Sequence, residues 1–403
     1  MRLLQSLLIL TALAACGESG AQTASVEKNP PNREGQQPAF PGQTRAPEQK
    51  LGVAFDVQTY ASGLNTPWGM TFLPDGRLLV TEKPGALRIV GKDGKVSAPI
   101  TGTPTVVTAQ QAGLLDVALS PQFATDRMIY LSFSEPGPGA TNGTAVARGR
   151  LVEADGAGRI EGLTVIYSQT PKLESNLHFG SRLVFDRAGN LFVTQGDRSV
   201  IPGRVQAQKM DSLIGKLVRI KPDGSVPADN PFVGKAGVNP KIWSIGHRSM
   251  QAAALHPTTG QLWTVEYGAK GGDEINHPEA GKDYGWPTIT YGTEYSGAVV
   301  GEGLTQKAGM EQPLYYWDPT IGPSGMAFYT ADLFPTWKGS LFVGSHRPSY
   351  LNRLTLNGDK VVGEERLLEG FGAQVRDVRV GPDGALYLLD DKGGRVLRLA
   401  PKA

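Results

Sequence analysis

A short hairpin pattern recurs six times between residues 73 and 389, and it constrains the fold more than any other feature of this 403-residue chain. Each copy joins a turn containing Pro, Asp, Gly or Thr to a short apolar run, as antiparallel hairpins do. The copies cover residues 73–81, 120–132, 185–194, 256–265, 339–344 and 381–389. Their spacing of roughly 45 to 80 residues is near the period of propeller blades with inserted loops. The sequence therefore predicts an all-β fold, a six-bladed β-propeller.

The first 16 residues are typical of a lipoprotein signal peptide that ends at Cys16. A basic start, Met1-Arg2, precedes an apolar stretch that is too short to span a membrane. Leu13-Ala14-Ala15-Cys16 resembles the lipobox of bacterial lipoproteins, and Cys16 is the only cysteine in the chain. The alternative is a lone buried thiol. Lipid on Cys16 would anchor the protein to a bacterial membrane without spanning it. By resemblance, Gly17 favours the outer membrane, so we expect a periplasmic, lipid-anchored protein.

Composition divides the remainder of the chain into two parts. Residues 17–50 are rich in Gly, Pro, Gln, Ser and Ala and nearly lack large apolar side chains, which predicts a flexible linker. Residues 51–403 contain the repeats and form the predicted propeller catalytic domain. The formal net charge of +2 argues against nucleic acid as a main partner.

Polar residues lie at the predicted strand ends, where the loops of a propeller converge on one face of its central channel. His178 precedes the third hairpin and Asp197 follows it, so the two side chains can form an oriented general base. Gln111, Arg248 and Arg376 occupy equivalent positions near other hairpins. A histidine at a strand end can instead be an ordinary turn residue, and Asp197 can be one as well.

Eight motifs in order resemble the PQQ-dependent aldose sugar dehydrogenases, the soluble quinoprotein glucose dehydrogenase family that uses pyrroloquinoline quinone (PQQ) and calcium. They extend over essentially residues 52–400. The motifs are Pro67-Trp68-Gly69-Met70, Gln111-Ala112-Gly113-Leu114-Leu115-Asp116, His178-Phe179-Gly180-Ser181-Arg182, Gly215-Lys216-Leu217-Val218-Arg219, Gly246-His247-Arg248, Gly271-Gly272-Asp273-Glu274-Ile275-Asn276, Tyr284-Gly285-Trp286-Pro287 and Val375-Arg376-Asp377-Val378. The family fold is a six-bladed propeller, as the repeats independently predict.

The resemblance implies an oxidoreductase that converts the anomeric hydroxyl of an aldose to the lactone and passes electrons on to an acceptor. His178 matches the family's base and Asp197 the carboxylate that orients it. Gln111 matches a polar contact to substrate and base, and Arg248 the cation beside the quinone oxygen.

The resemblance also implies a cofactor shell and two calcium sites. Gly268 and Ala269 match the loop whose carbonyls hold the cofactor calcium, while Glu274 and the Tyr284 carbonyl match part of a structural calcium site. The matching cofactor-binding positions are Gln111, His178, Arg248, Ser249, Thr320, Arg347, Gln374 and Arg376.

Several positions depart from the family pattern and keep other functions open. Ser249 stands where the family has an amide, Gln374 where it has a cation, Arg347 where it has a lysine, and Leu177 where glucose dehydrogenases have an acid. One alternative is a non-enzymatic binding propeller that has lost PQQ. A less favoured one is a calcium-dependent lactonase, because the sequence shows no ring of Asn, Asp and Glu over four blades to hold a central ion.

Overall fold

The computed structural model describes residues 24–154 and 157–402. The predicted signal peptide with Cys16 therefore lies outside the described residues. Within the described part of the chain, no helix is long and apolar enough to cross a membrane.

The described residues form six antiparallel sheets, which confirms the predicted all-β propeller. Blade one contains β2–β4, blade two β5–β8, blade three β9–β12, blade four β13–β16, blade five β17–β20, and blade six β21–β23 with β1. The strands are β1 (Phe55–Ser62), β2 (Pro67–Phe72), β3 (Leu78–Glu82), β4 (Ala86–Val90), β5 (Leu114–Leu119), β6 (Met128–Pro136), β7 (Asn142–Ala154), β8 (Ala157–Ser168), β9 (Gly180–Phe185), β10 (Leu191–Gln195), β11 (Lys216–Ile220), β12 (Ile242–Ile245), β13 (Met250–Leu255), β14 (Leu262–Glu266), β15 (Asp273–Asn276), β16 (Tyr315–Trp317), β17 (Pro323–Phe328), β18 (Leu341–Ser345), β19 (Tyr350–Asn357), β20 (Lys360–Leu367), β21 (Val375–Val380), β22 (Leu386–Asp390) and β23 (Arg395–Pro401).

The ring is closed by the first strand of the chain. Strand β1 pairs antiparallel with β23, so the N-terminal strand completes the last blade. The innermost strands β2, β5, β9, β13, β17 and β21 contact one another in that order, and β21 returns to β2. Helices in the described residues are limited to α1 (Phe123–Asp126), α2 (Ile201–Arg204) and two 3-10 turns, Val205–Gln208 and Pro335–Trp337.

Adjacent blades pack face to face, which explains why the strands read as continuous apolar runs. All five residues of β3 are buried. One core cluster joins Leu79 and Leu87 of blade one to Ile129, Leu131 and Phe133 of blade two. Both faces of a blade are covered in this arrangement, so the strict polar alternation of a half-exposed sheet is lost.

A buried ion cluster lies where the innermost strands meet, and it is centred on Arg182. Its Nη1 lies 3.3 Å from Oδ1 of Asp116 and 3.2 Å from Oδ1 of Asp377. Its Nε donates to the Gln251 carbonyl at 2.8 Å and its Nη2 to the Arg376 carbonyl at 3.1 Å. One guanidinium thus connects β9 with the innermost strands of blades two, four and six.

The predicted flexible linker was wrong over its described part, residues 24–50. This segment packs on blades four and five, where Gln43 and Ala46 are buried. Glu27 accepts a hydrogen bond from Arg366 at 2.7 Å, and the Asn32 backbone N–H donates to Asp318 at 3.0 Å. The segment is held mainly by polar contacts to the propeller. A criterion based on apolar burial misses an attachment of this kind.

Candidate functional site

The predicted base and its carboxylate meet at the ends of β9 and β10. His178 lies two residues before β9, and its Nδ1 lies 2.6 Å from Oδ1 of Asp197, which lies two residues after β10. A Cβ at Gly196 would collide with the His178 carbonyl oxygen, so only glycine permits this close approach. Within the described residues, His178, Ser181 and Arg198 are three of nine non-glycine residues with positive φ. Such strained backbone is typical of functional sites.

The surroundings of this pair favour a neutral imidazole and an ionised carboxylate. Burial lowers the pKa of His178, the Arg248 charge lowers it further, and Asp197 opposes both without reversing the direction. Burial alone would raise the pKa of Asp197, but the His178 hydrogen bond and the Arg248 charge outweigh it, and the pKa lies below its usual value. The ionised carboxylate accepts the Nδ1 proton, which leaves the Nε2 lone pair available as a base.

Arg248 and Trp286 complete the polar cluster around Asp197. The Trp286 indole Nε1 donates to Oδ2 of Asp197 at 2.9 Å, and the Arg248 guanidinium lies 5.2 Å from the Trp286 ring centre. The Arg248 backbone N–H donates to Glu266 at 2.7 Å. Its side-chain Nε is buried and has no hydrogen-bond partner among the described residues. A buried guanidinium donor without a partner is suited to an anionic ligand.

Arg198 fixes the loop that carries the base, a role that sequence reasoning missed. Its Nε donates to the Leu177 carbonyl at 3.0 Å and its Nη2 to Oδ1 of Asn142 at 2.6 Å. The guanidinium lies 3.9 Å from the ring centre of Phe179, the residue after His178. It is fully buried, and it binds the residues on both sides of the base. The unusual Gly196-Asp197-Arg198 sequence after a strand was the available signal.

A cavity of about 210 Å³ opens beside this cluster. All six blades contribute to its wall, so the cavity lies where the blades converge. Its lining residues are Trp68, Lys83, Gln110, Gln111, Leu115, Phe179, Gly180, Gln251, Tyr267, His346, Arg376 and Asp391. His178 borders the cavity through its chain neighbours Phe179 and Gly180, and its ring centre lies 6.3 Å from that of Tyr267.

Two of the eight predicted cofactor-binding residues are lining residues of the cavity. Gln111 and Arg376 line it, and the Gln111 side chain also accepts the His178 backbone N–H at 2.8 Å. Ser249 is buried, and its hydroxyl accepts a hydrogen bond from Gln251 at 2.9 Å. Gln251 is a lining residue of the cavity and Ser249 is not. Arg347 is exposed.

Thr320 and Gln374 are not among the cavity-lining residues. Both are partly buried and lie in segments that precede innermost strands, β17 and β21. The Gln374 backbone N–H donates to Asp390 at 3.0 Å, and its carbonyl accepts from Asp391 at 3.2 Å. The Gln374 backbone thereby holds the position of Asp391.

The predicted loop of Gly268 and Ala269 is fixed by Asp273. One oxygen of Asp273 accepts the Gly268 backbone N–H at 2.8 Å, and the other accepts those of Ile321 at 2.7 Å and Gly322 at 2.8 Å. Burial raises the pKa of Asp273 to about 6. This carboxylate therefore joins the predicted calcium loop to the loop that carries Thr320.

The predicted structural calcium residues share one polar network. Asn276 donates to both Glu274 at 2.9 Å and Glu266 at 3.0 Å. Glu266 also pairs with His247 at 2.9 Å, and the His247 ring stacks on Tyr284 with centres 5.0 Å apart. Burial and the Glu266 charge raise the pKa of Glu274 well above its usual value. In the described ranges, no group of three His, Cys, Asp or Glu side chains is placed to hold a metal ion.

The glucose/sorbosone dehydrogenase family model matches residues 64–398, which is most of the chain. The chain belongs to this family. Aldose sugar dehydrogenase YliI of Escherichia coli is 43% identical over 350 residues, which span 86% of this chain and 93% of the relative. The predicted family and the prediction of a dehydrogenase are thereby confirmed.

Solved structures of this family share the fold. The apo form of the soluble aldose sugar dehydrogenase from Escherichia coli matches with a TM-score of 0.82 at 43% identity, over 86% of this chain and all (100%) of that one. The PQQ-bound form of aldose sugar dehydrogenase from Streptomyces coelicolor matches with a TM-score of 0.71 at 28% identity, over 88% of this chain and 99% of that one.

Proposed function

We propose that this family member is a PQQ-dependent dehydrogenase that oxidises the anomeric hydroxyl of aldose sugars to the lactone with the assistance of calcium. The observation that carries the proposal is the 2.6 Å contact between His178 Nδ1 and Asp197 at the edge of the cavity. The name of the Escherichia coli relative supports the aldose substrate, and the PQQ-bound Streptomyces coelicolor structure supports the cofactor.

The residues around the cavity fit an anionic quinone. PQQ carries three carboxylates, and Lys83 and Arg376 line the cavity as cations. Arg248 adds a buried Nε that has no partner among the described residues. Guanidinium groups bind carboxylates in a charge-assisted geometry. Tyr267 and Trp68 contribute aromatic surface to the same wall, which suits a planar ring system.

The proposed reaction depends on a proton acceptor with fixed orientation. His178 Nε2 takes the proton of the anomeric hydroxyl while the hydride leaves the adjacent carbon. Asp197 accepts the Nδ1 proton at 2.6 Å, selects the reactive tautomer and stabilises the imidazolium once it forms. Bound PQQ supplies the acceptor for the hydride. The Arg248 charge lowers the pKa of both His178 and Asp197, so it acts at the position of the base. The same charge would stabilise negative charge that develops beside the base during the reaction.

Calcium is proposed at the Gly268–Ala269 loop, where backbone carbonyl oxygens would supply hard ligands. The fixed position of this loop supports the proposal, since Asp273 holds the Gly268 N–H at 2.8 Å. A second calcium ion is proposed between Glu274 and the Tyr284 carbonyl. Neutralising Glu274 in this way would relieve the charge repulsion with Glu266.

The proposed location follows from the sequence of the N-terminus. We propose that lipid on Cys16 anchors the enzyme at the periplasmic side of the outer membrane, and that electrons pass to an acceptor there. Labelling the expressed protein with a radioactive fatty acid tests this, with a Cys16→Ser variant as control. Label in both proteins would contradict anchorage at Cys16.

Reconstitution tests the enzymatic proposal against its alternatives. Purified protein is mixed with PQQ and calcium, desalted, and supplied with glucose or other aldoses and an artificial redox dye. We expect retained quinone absorbance and sugar-dependent dye reduction. No turnover with any sugar, together with no quinone absorbance after desalting, would favour the binding propeller that has lost PQQ. Lactone hydrolysis without dye reduction would favour the lactonase.

A further inference from the structure

A second histidine–carboxylate pair lies in the cavity, on the side formed by blades five and six. His346 follows β18 and Asp391 follows β22, and both residues line the cavity. The Nε2 atom of His346 lies 2.8 Å from Oδ2 of Asp391. The side chain of His346 is 22% exposed, whereas that of Asp391 is 9% exposed, so the imidazole is the more accessible member of the pair.

Arg376 joins this pair to the aromatic wall. Its Nη2 lies 3.0 Å from His346 Nε2, and its Nε donates to Asp391 Oδ2 at 3.2 Å. Tyr267 lines the same wall. A guanidinium has five N–H groups, and the hydrogen bond to Asp391 leaves donors for a ligand. When the neutral ring donates its Nε2–H to Asp391, Nδ1 keeps its lone pair and is the ring atom left for a ligand.

Lys83 adds a second cation to the same wall, and burial and the Arg376 charge lower its pKa. Its ammonium group donates to the Gln110 carbonyl, which uses one of three donors. The charges of Lys83, Arg376 and Asp391 sum to +1, and a proton on His346 raises the sum to +2. A carboxylate is the ligand group that such a cluster favours.

We propose that His346, Lys83 and Arg376 form a carboxylate-binding subsite for the cofactor, and that His346 takes up a proton when the ligand binds. The inference rests on the proposed function, because the carboxylate is assigned to PQQ. Gln374 and the exposed Arg347 do not line the cavity, so neither is placed to bind this carboxylate. The proposed subsite supplies His346 as a titratable cation there.

The direction of proton transfer follows from the groups around His346. Burial lowers the pKa of His346, the Arg376 and Arg347 charges lower it too, and Asp391 opposes them without reversing the direction. Lys83 and Tyr267 are the other titratable groups on this wall. The ring is therefore neutral near pH 7.5 in the free protein. A ligand carboxylate favours the protonated ring, so binding draws a proton from the solvent.

Calorimetric titration of the full calcium-loaded chain with PQQ tests the subsite. Titrations at pH 7.5 in two buffers of different ionisation enthalpy give both the affinity and the protons taken up. We expect His346→Asn to weaken binding by about 10- to 100-fold and to abolish much of the uptake, because one charge-assisted hydrogen bond is lost. His346→Lys should keep most of the affinity without the uptake.

His277→Asn is the matched control, because His277 lies outside the cavity and its known contact uses the backbone carbonyl. It should bind like the wild type. Wild-type affinity and uptake in His346→Asn would overturn the subsite and leave the proposed function standing. Failure of the wild type to bind PQQ would overturn the proposed function, and the subsite with it. Thermal melting of each variant confirms that it is folded.

Discussion

His178 Nδ1 lies 2.6 Å from Asp197 Oδ1, so the carboxylate holds the imidazole in the tautomer that exposes a basic Nε2. We predict that Asp197→Asn lowers kcat by about 100- to 10,000-fold, since the neutral amide neither fixes this tautomer nor stabilises the imidazolium. Steady-state dye reduction measures the loss at equal PQQ content. Trp286→Phe removes only the donor to the other carboxylate oxygen and should cost less. An Asp197→Asn enzyme with wild-type kcat would contradict the orienting role.

The pH dependence of kcat/KM reports the protonation of the same base. Since burial and Arg248 lower the pKa of His178, the activity should fall only below pH 6.5, where the ring becomes protonated. Arg248→Gln removes a charge that lowers this pKa, so the acidic limb should move to higher pH while the maximal rate decreases. A limb that moves to lower pH, or stays fixed, would show that His178 does not control it.

The ion cluster at Arg182 should matter for stability. Arg182→Met leaves Asp116 and Asp377 buried with only the more exposed Arg379 as a shared cation, which we expect to cost about 3 kcal/mol of unfolding free energy. The loss should be larger at neutral than at acidic pH, because protonation removes the uncompensated charges. Chemical denaturation at several pH values measures it. Arg159→Met, which breaks an exposed pair with Glu161, is the control and should cost less than about 1 kcal/mol.

The segment 24–50 should stabilise the propeller although its composition resembles a linker. A soluble chain that begins at residue 51 loses the Glu27–Arg366 and Asn32–Asp318 contacts and uncovers blades four and five. We expect it to be about 2–5 kcal/mol less stable than a chain that begins at residue 24, since several hydrogen bonds of about 1 kcal/mol each are lost. Equal denaturation midpoints would show that the segment contributes nothing.

The fold could be predicted because its signals are local. Each turn such as Pro74-Asp75-Gly76 lies next to its own apolar strands, and Gly76 has the positive φ that the turn needs. The pairing of β1 with β23 is different, since it joins the two ends of the chain. Neither strand contains a residue pattern that specifies so distant a partner.

The contact between the base and its carboxylate was predictable because one hairpin supplies both partners, whereas Gln111 and Arg376 could be placed at strand ends but not relative to each other. His178 and Asp197 are 19 residues apart, and a single hairpin places them together. Lys83, His346 and Asp391 come from three blades and meet only because the ring closes. Gln251 lines the cavity and Ser249 does not, and strand β13 has a register shift between Met250 and Ala252 at this point.

The most direct test of the central claim is the reduction of bound quinone by sugar in the absence of oxygen and dye. Wild-type protein and His178→Gln are loaded with equal amounts of PQQ and calcium, mixed with an aldose, and followed by the quinone absorbance. We predict rapid loss of the absorbance in the wild type and a rate at least 100-fold lower in the variant, from the loss of the general base. No absorbance change in the wild type, or equal rates in the two proteins, would contradict the account.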